Sequence, residues 1–265
     1  MDSGSTEIVF ECDSFRLHSD GHAERTGGMD RVPAGFDADT GVTSKDVIID
    51  AATGVAGRLY LPAIEAAPSC ESDNSATTML PILVFFHDGY FVVGSRGCPS
   101  CHRYVNSIVA SARVGAVSVD YRLAPEHSLP AAYDDSWAAL NWAVSGTDPW
   151  LSSHGNLGRV FLAGVSAGAN IAHNMAIAAG VSGLHAVEPP RVEGVILLHP
   201  NAQQDVETRS TRLWTELPVL ALEGLVECGA DKHMIRNHRH CIREQGLIGL
   251  SYGGYTEFVY RLWDV

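Results

Sequence analysis

Four runs of apolar residues, at 82–86, 116–119, 160–163 and 195–198, broken only by Ser118, punctuate the middle of this chain. A strand that is apolar at every position must be covered on both faces, which is the situation of a parallel sheet rather than of a half-solvated antiparallel one. The cover is at hand, because segments with apolar residues at helical spacing lie between the runs, at 104–112, 130–144 and 167–179. Strand, helix, strand connections of this kind are right-handed crossovers, so the chain is expected to be α/β, with a mainly parallel central sheet and helices on both faces. With 265 residues, 46% of them hydrophobic, it can bury one substantial core.

The flanks of that block read differently. Two short alternating runs, at 8–11 and 15–18, precede a Gly/Asp-rich loop at 27–41, and residues 1–45 are read as an N-terminal extension. Runs at 46–50 and 57–61, on either side of the turn-forming Ala52-Thr53-Gly54, suit a hairpin at a sheet edge, and 66–78 reads as an exposed linker. Residues 46–265 form the main domain. After Pro200 the pattern predicts a strand at 217–226, a helix at 234–245 and a last strand at 256–262.

Charge narrows the partners. A formal charge of −13 sets the chain against nucleic acid phosphates and anionic membrane, and leaves a small molecule as the easier ligand. Residues 1–10 carry Asp2 and Glu7 and lack the basic start and apolar stretch of a secretory signal, and no window reaches the ~18 apolar residues of a membrane span. The expected setting is therefore cytoplasmic or nuclear and reducing, with the six cysteines as free thiols. The single C-x-x-C, Cys98 to Cys101, lacks a second ligand pair at zinc-site spacing and is read as two loop thiols. No metal site is expected.

Gly164-Val165-Ser166-Ala167-Gly168 fits G-x-S-x-G, and it stands between an apolar strand and a helix. That context predicts a nucleophile elbow, a sharp turn that admits only small residues at its glycine positions and presents the Ser166 hydroxyl at the carboxyl end of the sheet. His87-Asp88-Gly89-Tyr90-Phe91 follows the strand at 82–86, where an oxyanion loop belongs. Acyl transfer through a tetrahedral intermediate needs backbone N–H donors aimed at the oxygen that becomes negative, and Asp88, Gly89 and Ala167 are the candidates. After the strand at 116–119, the stretch from Asp120 to His127 is charge-rich, and Arg122 and Glu126 are expected to fix its geometry through charge-assisted bonds.

These motifs, together with Pro130-Ala131-Ala132-Tyr133-Asp134-Asp135, Asp148-Pro149-Trp150-Leu151, Asn170-Ile171-Ala172-His173-Asn174 and His199-Pro200, resemble the plant carboxylesterases of the hormone-sensitive-lipase-like α/β-hydrolase group, which includes the gibberellin receptor and 2-hydroxyisoflavanone dehydratase. The resemblance runs over roughly the first 200 residues. It implies an α/β-hydrolase fold with an N-terminal lid segment, hydrolysis of small carboxylic esters without a cofactor, and Ser166 as nucleophile with a carboxylate and a histidine behind it.

Departures from the group's pattern bear on each part. Val165 stands where aspartate is common, and the elbow geometry survives that change. Asp88 replaces a glycine, bringing negative charge near a developing oxyanion and removing backbone freedom, while Tyr90 adds bulk. The C-terminal part is shortened, with the cap segment after residue 200 reduced to 201–216. The acid is expected near Asp231, with His233 at the aligned position, and the loop that carries the histidine is missing before Val265. His238 and His240 fall in a predicted helix, and His173 and His199 read as packing residues. The expectation is a weak or inactive esterase, the alternatives being a non-catalytic binder of a hormone-like ligand or a truncated product without function.

Overall fold

The computed structural model describes residues 7–12, 14–64, 79–185 and 190–198, and the backbone of three strands at 242–244, 247–252 and 255–261. A small three-stranded antiparallel sheet opens the chain, formed by β1 (Ile8–Cys12), β2 (Phe15–His18) and β3 (Ala23–Glu24). β4 (Thr43–Asp50) and β5 (Val55–Leu61) then pair as the hairpin expected at the sheet edge. The main block follows as β6 (Leu80–Phe86), α1 (Pro99–Ala112), β7 (Gly115–Asp120), α2 (Ala131–Val144), α3 (Pro149–His154), β8 (Gly155–Val165), α4 (Ala167–Ser182) and β9 (Arg191–Leu198).

Among the described residues these strands build one sheet in the order β10-β11-β12-β9-β8-β6-β7-β5-β4, in which β10 is Ile242–Glu244, β11 Leu247–Tyr252 and β12 Tyr255–Arg261. The four apolar runs are its centre, where β7, β6, β8 and β9 pair in parallel. Antiparallel strands extend it on both sides, β5 beside β7 and β12 beside β9.

Side chains alternate across that centre. Ile82, Val84 and Phe86 of β6 join Val117, Val119 and Leu162 in the core layer that α2 and α4 cover. Leu83 and Phe85 join Ala163, Ile196 and the Val105–Val109 side of α1 in the other layer. Both faces are therefore buried, which is why the four runs are apolar at every position but the buried Ser118.

Several elements are longer than their patterns, α1, α4, β4 and β5 among them. α1 begins at Pro99, not at 104, because Pro99 is its first residue and Cys98 caps it, the Cys98 Sγ accepting from the Cys101 N–H at 3.2 Å. Cys98 and Cys101 are thus buried helix-start residues joined as a disulfide, a correction to the expectation of free loop thiols. The helix α3 went unforeseen, although Asp148 caps it through the Trp150 N–H at 2.8 Å and Pro149 is its first residue. At 242–244 the backbone is strand β10, which corrects the end of the helix expected at 234–245; the rest of that helix and the strand at 217–226 lie outside the described residues. The strand expected at 256–262 is β12.

The order of connections positions a site. From β6 the chain crosses to β7 on one side through α1, and from β7 it returns past β6 to β8 on the other. Loops leaving the carboxyl ends of β6 and β8 diverge at this switch point and leave a crevice between them. They are the loops that carry His87-Asp88-Gly89 and Ser166.

Candidate active site

Ser166 follows β8 and caps α4 with φ 52° and ψ −112°, a left-handed conformation that a non-glycine residue adopts only under constraint from its surroundings. The constraint is visible on both sides. Its N–H donates to the Leu198 carbonyl of β9 at 2.8 Å, and its carbonyl accepts from the Asn170 N–H at 3.1 Å in the first turn of α4. The two glycines of the motif make the turn possible. A Cβ on Gly164 would stand 2.1 Å from the Gly168 carbonyl oxygen, and one on Gly168 would stand 2.1 Å from the Phe86 carbonyl oxygen and 2.5 Å from that of His87. The elbow is thus packed backbone against backbone on the start of the loop after β6.

His87 lies fully buried beneath that loop, its ring stacked on Tyr121 with centroids 4.2 Å apart. Its Nδ1–H donates to the Asp88 carbonyl at 2.6 Å, and Tyr121 Oη donates to the His87 carbonyl at 2.9 Å. Burial pushes the imidazole below its usual pKa, so His87 is neutral and acts as a structural pin rather than a charge. Gly89 at φ 113° turns the chain over Val93, whose carbonyl oxygen would stand 2.1 Å from a Cβ there. Tyr90 and Phe91 follow at φ 55° and 66°. Asp88 is not among the left-handed residues, so the aspartate costs the loop no backbone freedom, contrary to the expectation from the glycine it replaces. Its effect is electrostatic.

Ser166, Asp88, Gly89 and Tyr90 line one cleft of about 1030 Å³. Ala167 is the first residue of α4, beside Ser166. Asp231, His199, His233, His238 and His240 lie outside the described residues. Among the described residues no histidine lines the cleft. His173 is buried in α4, where burial lowers its pKa.

The N-terminal extension supplies a wall of the cleft through Phe10, Phe15 and Asp30. Arg25 ties it down. Its Nε donates to the Val92 carbonyl at 2.6 Å, and its two terminal nitrogens meet Glu126 at 2.7 and 2.6 Å, one of them also reaching the Ala124 carbonyl at 2.9 Å. The Arg25 guanidinium holds the Glu126 carboxyl down at about 2. Arg122, the other charged residue of that loop, forks onto the buried Asp135 of α2 at 2.7 to 3.0 Å, while its N–H reaches the same carboxylate at 2.8 Å. Both residues do fix loop geometry, each with a partner that local spacing did not name.

Comparison with known proteins agrees with this architecture. A family described as "alpha/beta hydrolase fold" matches residues 83–231. Probable carboxylesterase 3 of Arabidopsis thaliana is 40% identical over 186 residues, 70% of this chain and 56% of that protein. Tuliposide A-converting enzyme 2 of Tulipa gesneriana is 41% identical over 73% of this chain and 47% of its own length. For 2-hydroxyisoflavanone dehydratase of Glycyrrhiza echinata the identity is 40%, over 70% of this chain and 56% of that protein. The chain spans about half the length of these relatives. A fungal esterase structure from Rhizomucor miehei superposes with a TM-score of 0.50 at 26% identity, covering 66% of this chain and 49% of that one. On its fold, its elbow and its matched residues, this chain belongs to the α/β-hydrolase fold family, within the plant carboxylesterase group related to hormone-sensitive lipase.

Proposed function

We propose that the chain carries a serine esterase centre for small carboxylic esters, with Ser166 as nucleophile. The observation that carries this reading is Ser166 itself, held left-handed at the N-terminus of α4 in a cleft shared with Asp88 and Gly89. Attack by the hydroxyl on an ester carbonyl places negative charge on the former carbonyl oxygen. The N–H groups of Asp88, Gly89 and Ala167 are the donors to that oxygen, and the positive end of the α4 dipole favours the same charge. Collapse releases the alcohol and leaves an acyl-serine, which water cleaves. Asp231 is the proposed acid of the triad. The side chain at position 88 works against the centre, because its carboxylate adds negative charge beside the oxygen that the N–H groups stabilise.

A fluorophosphonate probe tests the nucleophile directly. Labelling confined to the peptide containing Ser166, and lost in Ser166→Ala, is expected; labelling that persists in Ser166→Ala would sink the proposal.

A second reading, a non-catalytic binder of a small hormone-like ligand, is favoured by the cleft's lining, which holds no histidine among the described residues to serve as base. It predicts no labelling of Ser166 together with a rise in melting temperature upon titration with a panel of phenolic and carboxylic ligands.

A further inference from the structure

Cys98 and Cys101 open α1 in the wall of the cleft, with Cα atoms 5.4 Å apart and their side chains joined as a disulfide. As the cap, Cys98 receives the Cys101 N–H at 3.2 Å. Backbone donation at a helix N-terminus favours a thiolate over a thiol. The Cys101 Sγ lies 3.6 Å from Asp88 Oδ1, and Asp88 belongs to the loop packed against the Ser166 elbow. Both cysteines are more than nine-tenths buried, yet Cys98 lines the cleft, which gives reagents a path to the pair.

We propose that Cys98 and Cys101 form a redox-active dithiol coupled to Asp88. In the reduced state the Cys101 S–H donates to the Asp88 carboxylate and ties it to α1. In the oxidised state, which is the one the structure shows, that donor is gone and the carboxylate stands 3.6 Å from the Cys101 Sγ without a hydrogen bond from it. The co-reactant is a small disulfide. The Cys98 thiolate attacks one of its sulfurs, expelling one thiolate and forming a mixed disulfide. Cys101 passes its proton to Asp88, attacks the Cys98 sulfur and expels the second thiolate. The protein loses two electrons and two protons, the small disulfide becomes two thiols, and the proton on Asp88 passes to water. The proposal needs no turnover at Ser166, so it stands or falls apart from the esterase reading.

The full chain is equilibrated, without chelator, in buffers of 2-mercaptoethanol and its disulfide, both small and neutral. Free thiols are then alkylated, and the peptide holding Cys98 and Cys101 is weighed; this resolves it from the other four cysteines. Reversible conversion between a doubly alkylated and an unalkylated peptide is expected. Asp88→Asn and Asp88→Gly, which remove the carboxylate acceptor, are expected to shift the equilibrium constant at least about threefold toward the disulfide. Two variants guard against a misfolded one. A pair that stays doubly alkylated at every ratio, a reduced pair that instead retains one equivalent of Zn²⁺, or an equilibrium unchanged in both variants would overturn the proposal.

Discussion

Gly168 has no room for a single added methyl group, since a Cβ there would stand 2.1 Å from the carbonyl oxygen of Phe86. What it would strike is the backbone of Phe86, which ends β6, and of His87 just after it, and this stretch cannot step aside. Gly168→Ala is expected to cost about 3 kcal/mol, read as a lower denaturation midpoint or as loss of soluble protein, whereas Ser166→Ala leaves the midpoint within about 0.5 kcal/mol. Asp135 offers a contrast. It is 2% exposed and takes four donated contacts from Arg122, so Asp135→Ala leaves a guanidinium and an N–H without their acceptor. The expected loss is about 2 kcal/mol in urea unfolding. Gly168 and the elbow were legible in the five-residue motif, because strand and helix flank it. Nothing local linked Arg25 to Glu126, which are 101 positions apart, and the tie of the N-terminal extension to the cleft could not be read.

At the scale of elements, pattern length decided what could be foreseen. The central strands stood out because burial on both faces makes them apolar at nearly every position. α3 has six residues, too few for a helical period to show, and its cap and proline were the only signs. The start of α1 was hidden because Gly97-Cys98-Pro99 reads equally well as a turn. One element's attachment depends on pH. The folded-state pKa of Glu126 is depressed to about 2 by Arg25, so its contribution is present above the ordinary carboxylate range near ~4.3 and is lost as pH falls from there toward 2. Proteolysis within residues 7–36 is therefore expected to speed up below about pH 4 under conditions where the central sheet is still folded. Glu126→Gln is expected to show the fast cleavage already at pH 7, and equal rates for the two proteins at pH 7 would refute the tether.

For the whole molecule, charge and cleft point the same way. The chain carries −13, and the described lining of the cleft includes Asp30 and Asp88 but no lysine or arginine. A neutral or cationic ester is expected to be taken up better than a carboxylate-bearing analogue of the same size, by about tenfold at low ionic strength, with the gap narrowing as salt is added. Competition for fluorophosphonate labelling at about 20 and about 500 mM salt, where the Debye length is roughly 20 Å and roughly 4 Å, measures it.

The contact between Gly168 and the carbonyls of Phe86 and His87 is made of main chain alone. The elbow's place in the cleft is consequently set without the side chains beside it. Substitutions at 88, 90 and 165 change what the cleft attracts or repels without moving its walls, so a lineage can exchange chemistry, affinity and regulation at this place while inheriting one unchanged mould.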